Sequence, residues 1–139
     1  MKLPLIDTIF KDLEKISSRK EKVNFLKSHR PNKLMLQLLK YAFDPAIKFD
    51  LPEGAPPFKE NDILAEDDSG LYGEQRRLYL FIEGGNPNLK PIKREMLFIE
   101  VLESINPKEA KVLLAVKDKK LPYKGLTKKL VEEAFPGLL

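Results

Sequence analysis

Apolar residues in this chain recur every three or four positions, and that spacing limits what it can fold into. Leu5, Ile6, Ile9, Phe10, Leu13 and Ile16 trace one face of a helix. The same spacing returns in Leu34, Leu38, Leu39, Ala42 and Phe43, and again in Ile92, Met96, Leu97, Ile99, Val101 and Leu102. It recurs in Ala110, Val112, Leu113, Leu114 and Val116, and in Leu130, Val131, Ala134 and Phe135. A strand buries every second residue, so a sequence with this period turns its apolar side chains to both faces of a sheet. Only residues 78–82, LYLFI, pass for a short strand. The expectation is an all-α chain.

Start and stop signals cut the pattern into short pieces. Ser18-Arg19-Lys20-Glu21 has the form of a capping box and opens a helix carrying Val23, Phe25 and Leu26. The stretch HRPNKL breaks that helix, and Asp44-Pro45 ends the next, because a residue before proline is pushed out of the helical region. The helical pattern resumes near Gly70 with Leu71, Leu78, Phe81 and Ile82, and EGGNPN stops it. Pro91 suits a first helical turn, and Asn106-Pro107 joins a capping residue to a first-turn proline. A last helix begins near Leu126 or Thr127. Between these pieces, residues 50–70 hold three prolines, two glycines and seven acids, which predicts a long loop. The 139 residues suit one domain. The predicted architecture is a single compact bundle of six or seven short helices, with one long acidic, proline-containing loop at about 50–70.

Much chemistry is missing. The chain has no cysteine and one histidine, so disulfides, thiolate metal sites and histidine clusters are excluded, and a nucleophilic triad is hard to build. His29 lies beside Arg30-Pro31 and reads as a surface or capping histidine. The pair Asp67-Asp68 reads as solvated acid rather than a cation site. No P-loop or dinucleotide fingerprint occurs, since EGGNPN lacks the preceding strand. No apolar run approaches the roughly 20 residues of a membrane helix, and the N-terminus turns charged too soon for a signal peptide. These features predict a soluble, non-enzymatic protein of a reducing cytoplasm, with no cofactor, no metal and no membrane partner.

Charge is unevenly spread. Residues 11–48 carry ten Lys/Arg against four acids, residues 60–74 carry six acids and no base, and residues 106–139 carry eight lysines against four acids. The densest cluster lies in KDKKLPYKGLTKK, residues 117–129. There Gly125 permits close backbone approach, Thr127 offers a hydroxyl at a helix start, and Lys124, Lys128 and Lys129 add charge. Free amides at a helix start suit phosphate, so this reads as a phosphate cradle. The plainer reading is a glycine-led helix with a lysine-rich solvent face. SSRKEK, with Ser18, Lys20 and Lys22, is a second helix start of the same kind. Arg76 and Arg77 form a third basic group, and Lys90, Lys93 and Arg94 a fourth. Several such starts in one small helical domain suit contact with the backbone of duplex DNA. Most of the twelve aromatics fall on apolar faces, which argues against a single-strand stacking platform. Tyr123 is the exception, placed either to pack beneath the loop or to touch a sugar.

Two stretches carry a resemblance. SSRKEKVNFLKSHRPNKLMLQLLKYAFDPAIKF resembles the start of the N-terminal DNA-binding domain of ATP-dependent DNA ligases of the T-even phage type. In those ligases a Ser/Thr-Lys-x-Lys helix leads into leucines, a base and an aromatic. VLLAVKDKKLPYKGLTKKLVEEAFPGLL resembles that domain's close. Leu121, Gly125, Thr127, Phe135, Pro136, Gly137 and Leu138 fall on its pattern, with one extra residue before the glycine. Lys119-Lys120 stand where the ligases have an arginine. The likeness covers roughly half the chain. The whole chain is closer to an uncharacterised family of T-even-like cyanophage proteins sharing EGGNPN and VKDKKLPYKGL.

The ligase resemblance implies an all-helical domain that rides the minor groove beside a nick and contacts phosphates. Taken with the basic helix starts, it makes Ser18, Lys20, Lys22, Lys119, Lys120, Lys124, Gly125, Thr127, Lys128 and Lys129 the expected phosphate contacts. The Lys-x-Asp-Gly nucleophile of ligases is missing, and the chain stops where they pass to their catalytic domain, so ligation is not expected. The expected function is a stand-alone, non-catalytic module binding duplex DNA, nicked or intact, in phage DNA metabolism within an infected bacterial cytoplasm. The alternative is a phage accessory protein that binds a host or phage replication or transcription protein and has lost DNA binding.

Overall fold

A computed structural model describes residues 3–139. Six α-helices and one 3₁₀ helix make up its regular structure: α1 Ile6–Glu14, α2 Arg19–Ser28, α3 Lys33–Phe43, the 3₁₀ helix Leu71–Phe81, α4 Pro91–Ser104, α5 Pro107–Lys117 and α6 Lys128–Ala134. The fold is all-α, as the apolar spacing predicts. The strand-like LYLFI contributes only its end: Ile82 makes an isolated antiparallel bridge with Phe49.

The helices begin where the capping residues stand. Ser18 Oγ accepts the Glu21 amide at 3.3 Å, and Thr127 Oγ1 accepts the Leu130 amide at 3.2 Å. Asn106 Oδ1 accepts the Lys108 amide at 2.9 Å. Within HRPNKL, Asn32 Oδ1 accepts the Met35 amide at 3.0 Å, so the segment that breaks α2 also starts α3. His29 sits at the C-cap of α2, with Nδ1 3.0 Å from the Phe25 carbonyl and the ring against Phe25.

Helix α5 is the centre of the bundle. It packs on α1, α3 and α4, while α2 packs on α1 and α6. Ala110, Val112, Leu113 and Val116 are buried, and so are Glu109 and the stem of Lys117. A helix covered on most sides has no single apolar stripe. Phe10, Leu26, Leu38, Phe81, Phe98 and Leu130 are among the fully buried side chains around it.

The segment from Gly70 departs from expectation in its winding. It is a 3₁₀ helix of eleven residues rather than an α-helix. Gly70 enters it with φ +71°, and a Cβ there would crowd the Ser104 carbonyl and Ile105. Three residues per turn set Leu78 and Phe81 on the same side, and both are fully buried. EGGNPN then turns the chain, as predicted. Gly84 takes φ +80°, and a Cβ on Gly85 would overlap the Tyr79 carbonyl.

Residues 44–70 hold no helix, yet their loop is fixed at many points. The Gly54 amide donates to Asp118, the Lys59 amide to Glu103, and Asn61 Nδ2 to the Glu103 carbonyl. Asn106 Nδ2 donates to the carbonyls of Glu66 and Asp68. The Ser69 hydroxyl donates to Glu109 at 2.7 Å.

Candidate nucleic-acid interface

The ten sequence-predicted phosphate contacts divide into two groups. Lys22, one turn into α2, extends its ammonium over Gly125, into the space a Cβ would occupy. Gly125 has φ +84°, a left-handed conformation that glycine adopts without strain. The α2 start and the loop before α6 therefore meet. Ser18 and Thr127 serve as the caps of these two helices. Lys20, Lys124, Lys128 and Lys129 are exposed around them. Among the described residues, no carboxylate lies within ion-pair distance of Lys20, Lys22, Lys124, Lys128 or Lys129.

Lys119 and Lys120 have other partners. Lys119 takes φ +59° and turns its ammonium onto the end of α3, donating to the carbonyls of Tyr41 at 2.6 Å, Asp44 at 3.0 Å and Ile47. Burial lowers its pKa, with Asp44 acting in the other direction. Lys120 pairs with Glu53 at 2.9 Å, which raises its pKa. Lys119 belongs to the packing of α3 against the end of α5, whereas the Lys120–Glu53 pair lies at the surface with both side chains exposed. The other basic groups thin out too. Arg94 is buried, bonded to Asp50 and the Leu89 carbonyl, and Arg77 is paired with Glu74.

The loop between α5 and α6 is held from below. Tyr123 is buried, meets Phe10 edge-on at 5.2 Å, and donates its hydroxyl to Asp7 at 2.6 Å. Burial and the neighbouring Asp7 push its phenol well above the usual value. The ring packs beneath the loop and does not stand outward toward a sugar.

Periodicity gave no hint of Glu14 and Glu109. Glu14, at the end of α1, accepts the Lys124 amide at 2.8 Å, so one amide of the Gly125 loop already holds a carboxylate oxygen. Glu109 is fully buried and accepts from the amides of Ile6 at 2.8 Å and Asp7 at 3.1 Å, as well as from Ser69. Burial pushes its carboxyl upward, and the three donors pull it back. The start of α1 has no side-chain cap from Leu5. Glu109 supplies that acceptor from more than a hundred residues away in sequence.

These side chains can present ammonium groups to a polyanion. Among the described residues, no cluster of carboxylates and histidine is suited to a metal ion, and no helix is long and apolar enough to cross a membrane. No curated protein matches the sequence. The profile of a family of unknown function, DUF6433, matches residues 9–123, so its span ends at Tyr123, beneath the lysine loop. Covering most of the helical bundle, that match shows that the chain belongs to this family of unknown function.

Proposed function

We propose that this protein is a non-catalytic module that binds the phosphate backbone of duplex DNA through the face formed by α2, the loop at Lys124-Gly125 and the start of α6. One observation carries the reading. Five lysines (Lys20, Lys22, Lys124, Lys128 and Lys129) lack a carboxylate partner among the described residues, while neighbouring Lys119 is bonded to three backbone carbonyls and Lys120 is paired at the surface with Glu53. Unneutralised lysines release counterions when they meet phosphates, and this drives sequence-independent affinity. The resemblance to the DNA-binding domain of T-even phage ligases supports the same face and suggests nicks or ends in phage DNA as the target.

A salt titration on labelled nicked and intact duplex tests this. Five phosphate contacts give a log–log slope of about −4 to −5. Replacing Lys124, Lys128 and Lys129 together by Glu abolishes the binding. No measurable binding to either duplex at about 50 mM salt rejects the proposal. A host or phage protein partner is the second reading, and the six acids of residues 60–74, with no base among them, favour a basic one.

A further inference from the structure

The outer face of α4 carries apolar side chains that the bundle leaves uncovered. Ile92 is 75% exposed and Met96 54% exposed. With Ile99 they occupy positions i, i+4 and i+7, one stripe along the helix. Ile99 opens into a hollow of about 310 Å³ between α4 and the loop 51–57, walled by Phe98, Pro56 and Pro57. That loop is anchored by Lys117 Nζ donating to the Pro52 carbonyl at 2.7 Å and by the Gly54 amide donating to Asp118. The socket is thus preformed beside an exposed stripe, as at a protein–protein contact.

Charge along the stripe identifies the occupant. Exposed bases, Lys90 and Lys93, lie at the start of α4, and exposed acids, Glu100 and Glu103, at its end. Among the described residues, neither Lys93 nor Glu100 has an ion-pair partner. Both lie on the same flank of the stripe, seven residues apart. When two such helices cross antiparallel about a two-fold axis near Met96, each flank meets its own copy reversed. Lys93 of one chain then faces Glu100 of the other, twice, and Ile92 of each approaches the Ile99 edge of the other's hollow. A pattern complementary to itself is the mark of an isologous dimer.

We propose that α4 is the self-association surface of this protein, and that a second copy of the chain covers Ile92, Met96 and the hollow beside Ile99. The lysine face on α2 and α6 shares none of these residues, so this dimer and DNA binding stand or fall separately. One helix pair and a rim loop make a small interface, so the dimer is weak, with a Kd of about 10–100 µM.

Sedimentation equilibrium between about 5 and 500 µM is the test, spanning that range. The wild type shifts from monomer to dimer. Ile92→Asp with Met96→Asp weakens association by about tenfold or more. Lys93→Glu alone and Glu100→Lys alone each weaken it by about threefold, and the double swap restores it. Because the chain has no cysteine, Met96→Cys gives a single thiol near the proposed axis. Under a mild oxidant it forms a disulfide-linked dimer, whereas Lys111→Cys, on the exposed side of α5, does not. A monomer at every concentration overturns the proposal and leaves the stripe to a different protein. A dimer indifferent to the aspartate pair, or a charge swap that fails to restore association, overturns it as well.

Discussion

Glu109 holds two parts of the chain on one carboxylate: the start of α1 through the Ile6 and Asp7 amides, and the end of the acidic loop through Ser69. Replacing it by Gln keeps the size but sets an amide donor against one of those donors, which costs about 2–3 kcal/mol. Its titration gives a sharper test. Burial places its folded pKa above the ordinary 4.5, so the folded chain holds that proton to higher pH than the unfolded chain does. Between those two values the folded state binds more protons, and Glu109's contribution to stability falls as pH rises through the window, then levels off. Urea denaturation at a series of pH values above 4.5 should show this decline in the wild type relative to Glu109→Gln, which cannot titrate. An unchanging difference between the two proteins would exclude it. The sequence did not reveal this role. Glu109 stands in the first turn of a helix opened by Asn106-Pro107, and its partners lie 40, 102 and 103 residues away. Ser18, Asn106 and Thr127 were legible because a cap bonds within three residues of itself.

At the scale of elements, local signals located all seven helical segments, and tertiary contact decided what those signals left open. The winding of residues 71–81 was one such case. Only Leu71, Leu78 and Phe81 are buried there, too few to separate a period of 3.0 from 3.6. The lysines were another. Lys119 and Lys128 look alike in sequence, yet Lys119 closes the end of α3 by donating to three carbonyls, while Lys128 stands at the open start of α6. Sequence spacing carries no record of which ammonium folds back. Their substitutions should therefore separate. Lys119→Ala returns the Tyr41, Asp44 and Ile47 carbonyls to water and destabilises by about 1–2 kcal/mol. Lys128→Glu with Lys129→Glu alters exposed charge only, shifts stability by about 0.5 kcal/mol or less, and weakens duplex binding instead. Thermal denaturation and a DNA titration on both variants provide the check. Lost DNA affinity at unchanged stability in Lys119→Ala would return that residue to the interface.

For the whole molecule, the question is whether the acids of residues 60–74 oppose a polyanion at the lysine face. Helix α1 separates the two. Glu66 and Asp67 lie beside Pro4, Leu5 and Thr8 at its start, and Glu14 at its end holds the Lys124 amide. Nine residues of helix span about 13 Å, beyond the roughly 8 Å screening length at physiological salt. The acidic segment should therefore matter little there, while Glu14, in direct contact with the loop, should matter more. Neutralising Asp67 and Asp68 to Asn should change duplex affinity by less than about twofold near 150 mM salt, rising at 10 mM, where the screening length grows to about 30 Å. Glu14→Gln removes a charge while keeping an oxygen for the Lys124 amide, and should tighten binding by about threefold or more at both salts. Fluorescence anisotropy on one duplex at the two ionic strengths distinguishes these effects. If the aspartate pair outweighs Glu14 at 150 mM, the DNA lies along the other end of α1, and the lysine face is not where it binds.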